Sequence, residues 1–114
     1  MNANKNPTPC RPQPFQAGES PLFNLGRTVA TPAALAALER LGVGSFELLS
    51  RHQRGDWGDL NAHDQAANDA ALKDGSRFLS AYVVKGERIW VMTEAVGEDG
   101  QTRTSTCILL PEDY

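Results

Sequence analysis

Five of the seven prolines crowd into the first 21 residues (Pro7, Pro9, Pro12, Pro14 and Pro21), with Asn, Gln and Thr between them. Proline removes a backbone donor and fixes φ, so this stretch suits neither a helix interior nor a central strand. It also lacks the apolar residues that would offset the entropy of ordering it. The sequence therefore predicts a flexible Pro-rich tail over residues 1–21 and a single α+β domain over residues 22–114 of the 114-residue chain. A domain of that length has one small core and little room for an elaborate active site.

The formal net charge is -3, with 22% charged residues, so no whole-chain basic field favours nucleic acid as a partner. No apolar run approaches the ~18 residues of a membrane span. The polar start does not read as a signal peptide, and the expected location is the cytoplasm. Cys10 and Cys107 are too few for a disulfide framework and have no metal-ligand spacing. They read as a free tail thiol and a small apolar residue.

From Leu22 the patterning becomes structured. Leu22–Ala30 reads as a short strand weakened by Gly26. Thr31-Pro32 opens a helix, because Thr31 can cap and Pro32 at the first position gives up no needed donor. Leu35, Leu38 and Leu41 follow at helical spacing until Gly42 and Gly44. Ser45 is expected to cap a second helix carrying Phe46, Leu48 and Leu49. Asn61 is expected to cap a third, slim helix through about Lys73, stopped by Asp74-Gly75-Ser76. The remainder is rich in aromatic and β-branched residues: strands over 77–84, 88–96 and 103–110, with turns at Lys85-Gly86-Glu87 and Gly97–Gly100. Two short connections predict a three-stranded antiparallel meander packed against the helices. In its central strand Ile89, Val91, Thr93 and Ala95 share one face, and Arg88, Trp90, Met92 and Glu94 the other.

The chemically richest stretch is Arg51-His52-Gln53-Arg54-Gly55-Asp56-Trp57-Gly58-Asp59. As a binding site it would use Arg51, His52, Arg54, Asp56 and Trp57, with glycine letting a ligand approach the backbone. As an ordinary helix stop, Trp57 would anchor the core, an aspartate would cap the turn and His52 would meet the helix dipole. A second polar group is Glu94 beside Arg103-Thr104-Ser105-Thr106. There Arg103 either holds a phosphate or carboxylate or forms a cross-strand ion pair. His52 and His63 lack the spacing of metal ligands, and no phosphate loop, dinucleotide fingerprint or nucleophile elbow occurs. No cofactor and no metal are expected.

Leu25–Pro32, Leu48–Gly58, Ser80-Ala81-Tyr82, Trp90–Ala95 and Ile108–Tyr114 together resemble a family of small proteins carried on bacterial plasmids and integrated mobile elements, often called plasmid-related. The resemblance covers residues 22–114 and implies a mobile-element context without an established activity. In that family the hairpin after the Thr-Glu-Ala stretch is tighter and leads into Asp-Arg-Ser. Here Val96–Thr102 lengthen the turn, Thr102 stands in place of the aspartate, Arg103 keeps the arginine and Thr104 replaces the serine. A helical start before an antiparallel meander also resembles, at fold level only, barnase-like and mRNA-interferase-like ribonucleases.

Two functions follow from this reading. One is a non-enzymatic accessory module that binds a protein partner through the Arg51–Asp59 loop and a sheet face. The other is a small metal-independent nuclease with His52 and Glu94 as acid and base and Arg103 stabilising phosphate. An uncovered sheet face or edge strand would also let a second copy pair, as in a homodimer.

Overall fold

The computed structural model describes residues 21–114, so the tail expected over the preceding residues lies outside the described part of the chain. The described chain is α+β, with three helices, four strands in one sheet and a closing 3-10 turn. Strand β1 (Arg27–Ala30) leads into α1 (Pro32–Leu41), α2 (Ser45–Gln53) and α3 (Ala62–Asp74). Then come β2 (Phe78–Val84), β3 (Glu87–Thr93), β4 (Ser105–Leu109) and the 3-10 turn Pro111–Asp113.

Local signals account for most helix ends. Thr31 accepts a hydrogen bond from the Ala34 amide at 3.1 Å, and Pro32 occupies the first turn of α1. Asn61 does the same for α3 through the Asp64 amide at 2.8 Å. Gly42 and Gly75 close α1 and α3 in the left-handed conformation. The cap expected at Ser45 falls one residue earlier. Gly44 occupies the N-cap of α2 without a side-chain bond, and Ser45 is already helical.

The expected meander is present as β2-β3-β4, with both pairings antiparallel. Lys85 and Gly86 form its first turn, and both have positive φ (51° and 85°). Positive φ at both central residues matches the right-handed twist of a two-residue hairpin. The sheet as a whole is mixed, not purely antiparallel. The strand expected over 22–30 is confined to Arg27–Ala30 and pairs in parallel with β4, giving the order β1-β4-β3-β2. The long excursion through three helices and a hairpin supplies the crossover that parallel pairing needs.

One sheet face carries the main core. Tyr82, Ile89, Val91 and Ile108 pack there against Ala34, Leu38 and Leu41 of α1 and Leu48 and Leu49 of α2. Helix α3 lies along β2 instead of over that face. Its Asn68 side chain donates to the Leu79 carbonyl at 2.8 Å and accepts from the Leu79 amide at 3.4 Å. Asn68 thereby satisfies a stretch of strand edge that would otherwise be open to pairing. A second cluster of Trp57, Ala71 and Phe78 fills the space between α3 and the sheet.

Candidate functional site

The Arg51–Asp59 stretch is a clamp between the helices and β2. The Trp57 carbonyl accepts from the Ala81 amide at 3.0 Å, and the Asp59 amide donates to the Ala81 carbonyl at 2.6 Å. Gly58 forms an isolated parallel bridge to Ala81, so this stretch pairs briefly with β2. Glycine is required at 58. Its φ is +78°, and a Cβ there would sit 2.1 Å from the Ala81 carbonyl oxygen. The Tyr82 hydroxyl donates to the Asp56 carbonyl at 2.7 Å. Trp57 is 4% exposed, and its indole N–H donates to Asp69 at 3.0 Å. Trp57 is thus a core anchor, with no face open for stacking on a ligand.

His52 lies at the centre of this arrangement and is fully buried. Its ring stacks on Phe78 at 5.2 Å and meets Phe23 and Trp57 edge to face. Both ring nitrogens face hydroxyls, Nδ1 at 2.6 Å from Ser80 Oγ and Nε2 at 2.8 Å from Thr93 Oγ1. Thr93 Oγ1 lies 2.8 Å from Thr106 Oγ1, which donates to the Leu25 carbonyl at 2.8 Å.

This chain has one consistent proton order. Thr106 has a single hydroxyl proton and gives it to Leu25, so it accepts from Thr93. Thr93 has then spent its own proton and accepts from His52 Nε2–H. Nδ1 is left as an acceptor, and Ser80 donates to it. The result is a neutral imidazole in the Nε2–H form. Burial, reinforced by the positive charge of Arg103, pushes its pKa down to about 3. A sealed, neutral ring with both nitrogens bonded cannot reach a substrate or exchange its proton with one. Hydroxyls at core-facing positions of the strands are the sequence signal for this network, with Thr93 sharing a face with Ile89 and Val91 by strand alternation.

Arg103 is likewise interior, at 4% exposed. Its guanidinium lies over the Phe78 ring, 4.8 Å from the centroid. It donates to the Ser76 and Glu94 carbonyls from Nη1, at 2.8 and 3.0 Å, and to the Ala71 carbonyl from Nη2 at 3.0 Å. The expected Glu94–Arg103 side-chain ion pair is replaced by these carbonyl bonds. The link to Glu94 runs through that residue's carbonyl, and Arg103 ties the last turn of α3 to the β3–β4 connection.

Arg51, Arg54 and Asp56 remain toward solvent. Arg51 pairs with Asp56 at 2.7 Å and lies over the Tyr82 ring, 4.4 Å from its centroid. Burial works against the Asp56 carboxylate, yet the hydrogen bond and charge of Arg51 outweigh it and hold its pKa below the ordinary value. A second exposed pair, Arg88 with Asp59 at 3.3 Å, fastens the clamp to β3. Among the described residues no three His, Cys, Asp or Glu side chains converge as a metal site.

The other sheet face differs in character. Register places Val29, Cys107, Met92 and Leu79, one from each strand, in a single row across it. All four are at least partly exposed, and Val29 is 41% exposed. Trp90 lies in the next row and meets the Tyr114 ring at 5.8 Å. A cavity of about 260 Å³ opens at the edge of this face, between Leu79 and Met92 on the sheet, Asn68 on α3, and Tyr114. Searches against protein-family models, curated proteins and solved structures find no match for this chain. Among the described residues no helix is long and apolar enough to cross a membrane.

Proposed function

We propose that this chain is a binding module that engages a protein partner through the outer face of its sheet. One observation carries the reading: the apolar row Val29–Cys107–Met92–Leu79 spans all four strands on the face opposite α1 and α2. Such a row, flanked by a tryptophan and rimmed by Arg77 and Arg88, has the composition of an interface centre with a charged rim. The Arg51–Asp59 loop, expected to share in binding, acts here mainly as the clamp that shapes the sheet, with Arg51 and Arg54 as its contribution to the surface. The resemblance to plasmid-related proteins makes an accessory role in a mobile element the natural setting. The nuclease reading finds no support in the geometry, because His52 is enclosed.

The test is affinity capture from the native host with the wild-type chain and M92K, followed by reconstitution with the identified partner. M92K should keep its unfolding midpoint close to that of the wild type and lose the partner. Undiminished partner affinity in folded M92K would remove the outer face from the reading. Light scattering across a concentration series tells a second copy from a different partner.

A further inference from the structure

Arg103 presents an unusual balance of charge. It is almost completely buried, and among the described residues no carboxylate forms a direct ion pair with it, the Asp74 charge reaching it only from a distance. Its three hydrogen bonds go to carbonyl oxygens, which leaves the Nε proton and one Nη2 proton without an acceptor. Beside it opens a polar cavity of about 260 Å³, lined also by Asn24, Lys73, Asp74, Gly75 and Gln101.

The wall of this cavity is built by the residues that lengthen the β3–β4 connection. Asp99 accepts from the Gln101 and Thr102 amides at 2.9 and 2.8 Å and from the Thr102 hydroxyl, which fixes Gly100 and Gln101 in place. The Gly97 amide donates to the Thr102 carbonyl at 2.8 Å, and the Val96 amide donates to the Gly75 carbonyl at 2.9 Å. The loop is therefore internally bonded and docked on the end of α3. A tight turn would leave Arg103 without this enclosure.

We propose that this cavity is a binding site for a small polar carboxylate, held by Arg103 and Lys73 and enclosed by the 96–102 loop. Charge selects the class. Arg103 and Lys73 bring two positive charges and Asp74 one negative, so a monoanion neutralises the site. A phosphate dianion would place an uncompensated charge beside Asp74. The planar guanidinium fork suits carboxylate geometry, and the Asn24 and Gln101 amides supply donors and acceptors for the rest of a polar ligand. This site is separate from the outer sheet face and does not depend on the partner reading.

The full chain, labelled with nitrogen-15, would be titrated with sodium acetate, with inorganic phosphate, and with sodium chloride at matched ionic strength. Acetate should give saturating shifts at the Gly75, Gly100 and Gln101 amides that chloride does not. K73A should weaken acetate binding about tenfold, the loss of one hydrogen bond to a charged group, and D74N should tighten it. Q101A, whose amide faces the rest of a larger ligand, should leave acetate nearly unaffected. These three positions line the cavity without entering the core, so the test does not rely on an Arg103 variant folding. Non-saturating shifts, wild-type acetate affinity in K73A, or tighter binding of phosphate than of acetate would each overturn the assignment.

Discussion

His52 Nε2 and Thr93 Oγ1 meet at 2.8 Å inside the core, joining the last turn of α2 to the interior strand β3. The Leu25 carbonyl at the far end of this hydrogen-bond chain sets the direction of the Thr106, Thr93 and Ser80 hydroxyls, and with it which proton the imidazole keeps.

This makes stability depend on pH. In the folded chain His52 stays neutral down to about pH 3, whereas its ordinary value is 6.5. The unfolded chain binds the proton first, so the stabilisation is complete above about 6.5 and is lost as pH falls toward 3. The slope is about 1.4 kcal/mol per pH unit in that window. Urea midpoints between pH 7.5 and 4.5 should fall for the wild type and stay flatter for H52Q. Carboxylates with lowered values, such as Asp56, titrate below this range. Parallel curves for the two proteins would refute the assignment.

H52Q itself should cost about 3 kcal/mol at pH 7.5, because it leaves Ser80 or Thr93 without its buried partner and loosens the aromatic packing. Chemical denaturation with tryptophan fluorescence reads this directly, since Trp57 borders the site.

Two glycine substitutions should differ sharply. G58A places a Cβ against the Ala81 carbonyl at positive φ and should cost upward of 2 kcal/mol. G86A has similar φ but open space around it, so only the left-handed backbone penalty of about 1 kcal/mol remains. A pair of melting curves separates them, and equal costs would mean that the clamp moves to accommodate a side chain.

Arginines should rank by what they bond. R103K keeps the charge but cannot reach three carbonyls from one planar fork, and a loss of about 2–4 kcal/mol is expected. R88A removes one exposed ion pair and should cost well under 1 kcal/mol. Equilibrium unfolding of both variants checks the order.

Asn68 carries the last prediction. N68A leaves the Leu79 carbonyl and amide unpaired beside α3 and should cost about 1–3 kcal/mol. Faster hydrogen exchange at Leu79 would locate the damage at this edge, and unchanged exchange there would show that water replaces the amide.

The elements were legible where the signal is local. Thr31-Pro32 and Asn61 mark helix starts through capping chemistry, and the alternation Ile89, Val91, Thr93 gave the buried face of the central strand. The parallel partnership of β1 with β4 was not legible, because pairing between distant strands leaves no trace in local periodicity. Residue type left the site open. Trp57 and His52 suit ligand binding and core anchoring alike in sequence, and their burial is decided by α3 and the Phe78 ring, which no spacing rule encodes. Thr93 on the core-facing side of β3 was the clue that a polar group had to meet it.

The pairing of Arg27–Ala30 with Ser105–Leu109 also has a consequence for synthesis. The Leu25 carbonyl, β1 and the start of α1 find their partners only in the last strand and the turn after it, where Thr31 also donates to Asp113 at 2.6 Å. While the chain is still emerging from a ribosome, α1 and α2 wait with their apolar sides uncovered and Ile108 not yet made. Closure is thus a late event of high contact order, slow relative to helix formation. The nascent chain spends that interval exposed to chaperones and proteases.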